Sequence, residues 1–208
     1  MFLIILTMII CYILGSVPTG YLVGKIFFKI DIRQQGSGNI GATNVIRTLG
    51  VIPGILVLII DFVKGFICTQ YVSILLISSL PCTDMVPGSQ NIEVLSIICG
   101  ICAIIGHNWT IFLNFKGGKG VATSMGVFLA LTPFELGISA IVFLLVVLIT
   151  RYVSLGSIIS SVAFLVSILI FKKSLYIVLF GALATILIII RHISNIKRIL
   201  EGKENAIW

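Results

Sequence analysis

Long apolar runs, interrupted by glycine-rich polar stretches, dominate this chain. The runs lack the polar stripe of helical period that a helix on the surface of a water-soluble bundle would need. Only 10% of the residues are charged, against about 25% in a typical soluble domain. Because a backbone in lipid must satisfy its own hydrogen bonds, these runs predict membrane-spanning helices. They cover 2–14, 51–60, 94–105, 136–149, 158–171 and 174–190.

The lengths of the runs predict an all-α integral membrane protein with about seven spans in one polytopic domain, residues 1–208. No lysine or arginine precedes the first run, so we interpret it as a span and not as a cleaved signal peptide. The fourth span is short for a hydrocarbon layer of ~30 Å. The predicted spans are 2–24, 51–77, 93–113, 120–133, 135–150, 153–171 and 174–192.

The distribution of basic residues predicts the orientation of the chain. Eleven of the fourteen lysines and arginines fall on one side of the predicted spans, and that side should be cytoplasmic. The N-terminus is then outside and the C-terminus inside, and the three polar motifs described below share the cytoplasmic face, as one composite site would require. Lys172 and Lys173 are exceptions on the outer side, which also carries Asp84, and Lys64 lies inside a span.

The five cysteines do not indicate a disulfide framework. Cys99 and Cys102 form a C-x-x-C pair within an apolar run, with no second pair to complete a zinc set. We expect the cysteines in apolar runs to be small core residues, and only Cys82 falls in a predicted loop. No metal site is predicted.

A first polar, glycine-rich stretch, GSGNIGATNVIRTLG at 36–50, separates the first two spans. It begins with a G-x-G-x-x-G pattern, but no strand–turn–helix unit surrounds it, which argues against dinucleotide binding. Glycines let backbone amides converge on an anion, and Arg47 carries a planar charge suited to phosphate. We predict an anion-binding loop with Ser37, Thr43 and Asn44 as neutral donors; a turn that only packs helices is the alternative.

A second polar stretch, GHNWTIFLNFKGGKG at 106–120, precedes another apolar run. A glycine-rich turn that enters a helix N-terminus is a natural phosphate site, with lysine as a point charge. Its six residues FKGGKG are not a nucleotide-binding loop, which favours a small metabolite or lipid phosphate over a nucleotide. A basic cytoplasmic turn without a ligand is the alternative. The residues concerned are Lys116, Gly117, Gly118, Lys119 and Gly120, with His107 just upstream.

The third polar cluster, at 191–204, places His192 and Asn195 on one face of a terminal helix and Arg198 on an adjoining face. Within the second span, Asp61 and Lys64 stand three residues apart. Since charges inside a span are costly and normally paired, we interpret them as a structural ion pair.

Taken together, these motifs resemble the bacterial acyl-phosphate:glycerol-3-phosphate acyltransferases of phospholipid synthesis, the PlsY family. The matches run from end to end and in the order of the family, whereas the outer loop at 78–92 matches nothing. They comprise Gly15–Gly20, Asp31–Arg33, 36–50, Asp61–Gly65, 106–127, 151–158 and His192–Glu204.

The resemblance implies a seven-span enzyme of the bacterial cytoplasmic (inner) membrane. It would transfer the acyl group of a long-chain acyl phosphate to the 1-hydroxyl of glycerol 3-phosphate without metal or cofactor, giving lysophosphatidic acid and inorganic phosphate. Its implied partners are these two substrates and membrane lipids. The implied ligands of substrate are Ser37, Thr43, Asn44, Arg47, His107, Lys116, Gly117, Gly118, Lys119, Gly120, His192, Asn195 and Arg198, supported by Asn39, Asp61, Lys64 and Glu204.

The chemistry of a mixed anhydride fits these residues independently of the resemblance. Its leaving group is already good, so the reaction needs anion binding, alignment and removal of a proton from an alcohol. Neither histidine begins the H-x-x-x-x-D motif of the other large class of glycerol-phosphate acyltransferases. His192 is one candidate for the base, and a phosphate oxygen of a substrate is another. Ser37 is a candidate nucleophile, although we favour a binding role for it.

Other classes of function fit less well. A transporter of small organic phosphates would also explain the spans and the glycines, but transporters usually bind substrate near the midplane between related halves. A scaffold leaves Arg47, Lys119 and His192 unexplained. Nucleic-acid binding lacks a soluble domain to carry it, and the net charge of +7 is expected of cytoplasmic loops that face anionic lipids.

Overall fold

The structure is a computed structural model that describes residues 2–72 and 89–207. It divides into two compact units, Met1–Leu131 and Thr132–Trp208, each of which is treated separately below. The secondary structure of the described residues is helical throughout, with no strand. The predictions that concern 73–77, Cys82, Asp84 and the outer loop as far as residue 88 lie outside the described residues.

The first unit contains six α-helices among its described residues. A 3₁₀ turn at Ile32–Gln34 follows the second helix, a π-helical turn at Cys68–Val72 extends the fourth, and a second 3₁₀ turn at Ile111–Leu113 follows the fifth. The helices are α1 (Phe2–Ser16), α2 (Thr19–Phe27), α3 (Ala42–Leu49), α4 (Val51–Ile67), α5 (Ser89–Asn108) and α6 (Val121–Leu131).

Between Thr132 and residue 207, where the second unit is described, the chain forms four helices with recognisable ends. The first of them begins with a proline at its first helical position, which costs no hydrogen bond there, and ends at Arg151 in the left-handed conformation. The Ser174 hydroxyl caps the third by accepting from the Ile177 N–H at 3.3 Å. The helices are α7 (Pro133–Thr150), α8 (Val153–Ile170), α9 (Leu175–Arg191) and α10 (Ile193–Leu200).

The lengths of these helices confirm a multi-pass membrane protein. Within 2–72 and 89–207, four helical segments are long and apolar enough to cross a membrane, and two bent pairs, α1 with α2 and α9 with α10, pass the same test together. The predicted fourth span corresponds to α6, an apolar helix of only 11 residues with a length of about 16 Å; its role as a span stays a prediction. The count of seven spans and the sidedness of the termini stay predictions.

The predicted first span, 2–24, corresponds to a bent pair of helices that pass the length and hydropathy test for a span together. The chain bends by 44° between α1 and α2, at the sequence Val17-Pro18. Proline lacks the backbone N–H that a continuous helix needs, and it disfavours helical geometry at the residue before it. The break exposes backbone and side-chain groups that a straight helix would not offer to neighbouring helices.

Glycines allow helix backbones of the first unit to approach closely. A Cβ on Gly106 of α5 would overlap the carbonyl oxygen of Tyr12 in α1, and a Cβ on Gly126 of α6 would overlap that of Phe62 in α4. Small residues commonly mark the contacts of packed membrane helices, because attraction there depends on close contact and not on the exclusion of water.

The cysteines of the described residues are free thiols, as expected. Cys11, Cys68 and Cys99 are buried and share a small core cluster with Ala103. The expectation of core residues is therefore confirmed for these three.

One of the two outer lysines, Lys173, forms an ion pair within the second unit. Lys173 Nζ lies 3.1 Å from the Oε1 atom of Glu135, whose side chain is buried in the first turn of α7. A lysine that is paired with a buried carboxylate adds little net charge on its side of the membrane. Lys173 nevertheless stays an exception to the predicted orientation, because that rule counts lysines and arginines and not net charge.

We expect Gly126→Ala to lower the thermal stability of the purified protein, because the new methyl group would meet the Phe62 carbonyl. Overpacking of this kind costs about 1–3 kcal/mol, which would lower the midpoint of thermal unfolding in detergent by several degrees. Gly137→Ala is the matched control, since a Cβ at Gly137 of α7 would contact nothing within 4 Å. Equal midpoints for the two variants would contradict the proposed close contact.

Candidate functional site

The loop that leads to the first glycine-rich motif is held by an aspartate–arginine pair. Arg33 Nη2 lies 2.6 Å from Asp31 Oδ2, and the Arg33 backbone N–H donates to the same carboxylate at 3.0 Å. The guanidinium also lies over the Tyr21 ring, 4.8 Å from its centre. The hydrogen bond from the guanidinium lowers the pKa of Asp31 to about 2, so this pair is ionised at neutral pH.

The side-chain amide of Asn44 holds the backbone of the glycine-rich loop through hydrogen bonds. Its Oδ1 accepts from the Ser37 N–H at 2.8 Å, and its Nδ2 lies within hydrogen-bond distance of three loop carbonyls, those of Ile32, Gln35 and Asn39. Gly36 and Gly38 have φ of 55° and 70°, a conformation that favours glycine. Asn44 thus supports the loop in the structure. Its role as a phosphate ligand stays a prediction.

Helix α3 and the turn that leads into it present the other donors of this motif. Asn39 Oδ1 accepts from the Gly41 N–H at 2.8 Å and so shapes the turn into the helix. Thr43 and Arg47 stand four residues apart on one face of α3, and both are partly exposed, whereas Asn44 is buried. Together with the exposed Ser37, these side chains offer hydroxyl and guanidinium donors to an anion.

The second glycine-rich turn, FKGGKG at 115–120, is hydrogen-bonded to the end of α5. The Gly117 N–H donates to the Asn108 carbonyl at 3.2 Å, and the Gly118 N–H donates to the His107 carbonyl at 3.0 Å. A Cβ at Gly118 would overlap the Nε2 atom of His107, so only glycine lets the turn lie this close to the ring. The turn leads directly into α6. The exposed Lys116 lies near the beginning of the turn, and Lys119 lies near its end.

The two glycine-rich motifs of the first unit are anchored in one cluster of buried hydrophobic side chains. Ile32 lies in the 3₁₀ turn before the first motif, Ile40 lies within that motif, and Leu113 lies in the 3₁₀ turn before the second. All three are buried in one cluster with Val45 and Val57. The structure therefore brings together two elements that lie far apart in the sequence.

The predicted pair of Asp61 and Lys64 is confirmed, with Lys64 Nζ 2.9 Å from Asp61 Oδ1. The same oxygen accepts a hydrogen bond from the Thr19 hydroxyl at 2.9 Å and lies 3.7 Å from Nδ1 of His107. Lys64 also donates to the Val17 carbonyl at 3.1 Å. The sequence analysis missed the links to Thr19 and His107, because no local spacing indicates them.

In the second unit, His192 stands at the 55° bend between α9 and α10. The ring is buried, and its Nδ1 lies 2.8 Å from the Ile188 carbonyl oxygen. Since a carbonyl oxygen only accepts, Nδ1 carries the hydrogen, and in the neutral ring Nε2 is then the basic nitrogen.

Glu204 joins α10 to the beginning of α8. Its Oε1 accepts from Asn195 at 2.7 Å and from the Ser154 hydroxyl at 2.8 Å, and its Oε2 accepts from Arg198 Nε at 2.8 Å. Burial alone would raise the pKa of Glu204, but the hydrogen bonds from these three residues outweigh it and lower the pKa below its ordinary value. Ser154 is the partner that the sequence analysis did not identify, although it lies in a stretch quoted for the resemblance.

Comparisons with known proteins agree with the resemblance. The family model described as glycerol-3-phosphate acyltransferase matches residues 5–202. The chain is 44% identical to glycerol-3-phosphate acyltransferase 2 of Bacillus anthracis, over 98% of each chain, and 41% identical to glycerol-3-phosphate acyltransferase of Staphylococcus aureus strain Newman, over 99% of this chain and 98% of that one.

A solved structure shows the same likeness. The crystal structure of PlsY, an integral membrane glycerol 3-phosphate acyltransferase, in its glycerol 3-phosphate form matches with a TM-score of 0.84 and 33% identity, over 98% of this chain and 94% of that one. The chain therefore belongs to the glycerol-3-phosphate acyltransferase family and is an acyltransferase.

We expect Glu204→Gln to lower the stability of the folded protein by an amount that depends on pH. Because the folded-state pKa lies below the ordinary value of 4.5, the ionised carboxylate stabilises the fold above that pH, and the contribution is lost as the pH falls through the folded-state pKa. The difference in unfolding midpoint between the unsubstituted protein and the variant should be full at neutral pH and shrink below about 4.5.

Glu201→Gln is the control for this measurement. Glu201 pairs with Lys203 at 3.1 Å on an exposed surface, where ion pairs contribute little. A Glu204→Gln variant that is as stable at neutral pH as Glu201→Gln would contradict the role of Glu204.

Proposed function

We propose that this acyltransferase transfers the acyl group of a long-chain acyl phosphate to the 1-hydroxyl of glycerol 3-phosphate in the bacterial cytoplasmic membrane. The products are 1-acylglycerol 3-phosphate, that is lysophosphatidic acid, and inorganic phosphate. The observation that carries the proposal is the pair of glycine-rich, basic motifs on one hydrophobic cluster in a chain of this family. A reaction between two phosphate-bearing substrates needs such a pair of anion sites.

The chemistry explains why the described side chains are donors and cations and include no obvious nucleophile–base pair. The donor is a mixed anhydride, in which the acyl carbon is already activated by a phosphate leaving group. The hydroxyl oxygen attacks that carbon, the bond to the phosphate oxygen breaks, and the hydroxyl proton leaves. The protein has to hold both phosphates, align the hydroxyl and accept or route one proton.

In the first unit, we assign substrate phosphate binding to Ser37, Thr43, Arg47 and Lys119, with Lys116 at the rim. Arg47 can bind a phosphate in a bidentate manner, and Lys119 acts as a point charge at the entry of α6. The backbone N–H groups of the two glycine-rich segments add fixed dipoles. Asn39 and Asn44 contribute by holding the first loop in shape.

In the second unit, the assignment of His192 to proton transfer rests on the hydrogen bond of Nδ1 with the Ile188 carbonyl. That bond leaves Nε2 as the basic nitrogen of the neutral ring, which suits a general base. A phosphate oxygen of the substrate is the alternative acceptor of the proton. Asn195 and Arg198 are assigned to the glycerol-phosphate pocket, with Glu204 setting the orientation of both side chains.

For the membrane, we propose seven spans with the N-terminus outside. The proposal counts the four long helical segments, the two bent pairs and the short α6, and takes its sidedness from the basic residues.

The experiment that tests the function supplies the purified protein with glycerol 3-phosphate and either palmitoyl phosphate or palmitoyl-CoA. We expect phosphate release and lysophosphatidic acid in equal amounts with the acyl phosphate, and neither with the thioester. Product from palmitoyl-CoA would overturn the assignment of the donor. Absence of product from both, in folded protein, would overturn the activity and make uptake of glycerol 3-phosphate by proteoliposomes the next measurement.

We expect Lys119→Ala to raise the KM for glycerol 3-phosphate or for acyl phosphate by about tenfold or more, since a hydrogen bond from a charged donor is worth roughly 1.5–3 kcal/mol. Initial rates over a matrix of both substrate concentrations identify which phosphate is affected. Lys25→Ala, at an exposed lysine of the same unit, is the matched control. Unchanged KM values and turnover in Lys119→Ala would remove the second glycine-rich turn from the site.

A further inference from the structure

Asp61 is a buried carboxylate in the membrane helix α4, and its compensation extends beyond the ion pair that the sequence predicts. Its side chain is 3% exposed. Lys64 and Thr19 both approach Oδ1 to 2.9 Å. These two contacts satisfy the usual requirement that a charge inside the membrane be paired. The third neighbour, His107 at 3.7 Å, is therefore not needed for neutralisation alone.

His107 connects this carboxylate to the FKGGKG turn. Its Nδ1 atom faces Asp61, while its Nε2 edge packs so closely against Gly118 that a side chain there would overlap it. The Gly118 N–H in addition donates to the His107 carbonyl at 3.0 Å. The ring is 5% exposed. One residue thus contacts the turn through its backbone and through its ring, and the opposite edge of that ring faces the carboxylate.

We propose that Asp61 is a positioning residue that acts through His107 on the FKGGKG turn and so sets the position of Lys119. This proposal rests on the proposed function, in which Lys119 binds a substrate phosphate. The attraction between the carboxylate and Nδ1–H keeps the imidazole in the orientation that supports Gly118, and Lys119 is the next residue along the chain. Sub-ångström placement of charged donors has large effects on substrate binding and catalysis.

A structural ion pair and a positioning residue predict different changes in kcat and KM when Asp61 is replaced. If Asp61 only pairs with Lys64 within α4, its loss lowers the stability of the protein and lowers the apparent kcat through loss of folded enzyme, and both KM values stay unchanged. If it positions the turn, its loss raises the KM for the substrate whose phosphate Lys119 holds, and that effect requires Lys119. A double-mutant cycle between the two positions separates these cases.

The experiment measures kcat, both KM values and the unfolding midpoint for Asp61→Asn, Lys119→Ala and the double variant. We expect Asp61→Asn to raise the KM that Lys119→Ala also raises, by about tenfold, with a much smaller change in kcat and in the other KM. In the double variant, the further effect of Asp61→Asn should fall to about twofold or less. Thr19→Val, which removes a different partner of the carboxylate, is the matched control and should leave both KM values within about twofold.

Additive effects in the cycle, or equal changes of both KM values, would overturn the proposal. If Asp61→Asn does not fold, His107→Gln takes its place in the cycle, since it removes the ring without leaving an amide beside Lys64. Additive effects of His107→Gln and Lys119→Ala would then overturn the proposal. Lack of acyl transfer by the unsubstituted protein would instead be a failure of the proposed function, so the two failures are distinguishable.

Discussion

The buried carboxylate of Asp61 is the constraint on which much of the first unit depends. A charge inside an apolar helix is tolerated only when its surroundings compensate it. The break at Val17-Pro18 supplies two parts of that compensation, since the Thr19 hydroxyl reaches Asp61 and the Val17 carbonyl accepts from Lys64. The bend between α1 and α2, the ion pair and the packing of His107 thus belong to one polar network.

The glycine-rich motifs present hydrogen-bond donors at the ends of apolar helices. In the first motif, Gly36 and Gly38 adopt positive φ and the Asn44 amide ties the loop backbone together. In the second, Gly118 allows the turn to pack directly on His107. Both segments are anchored in the same apolar cluster, so rigid donors can be held beside a lipid-facing scaffold. That arrangement suits an enzyme of this family, which acts at the membrane.

The features that were predictable from the sequence depend on neighbours along the chain. Long apolar runs predicted most helices to within a few residues, and the spacing of Asp61 and Lys64 predicted their ion pair. The contacts of Asp61 with His107, of Glu204 with Ser154, and of Lys173 with Glu135 depend on tertiary packing, which no local spacing reveals. The break at Pro18 was not predicted, although proline disfavours helical geometry at the residue before it. The roles of the site residues as ligands stay predictions.

The central claim is that this enzyme binds and aligns an activated donor and does not itself become acylated. The most direct test is the intact mass of the purified protein after incubation with palmitoyl phosphate, first without and then with glycerol 3-phosphate. We predict an unchanged mass in both samples and lysophosphatidic acid in the second. A palmitoyl adduct on Ser37, formed without the acceptor and lost on its addition, would contradict the claim.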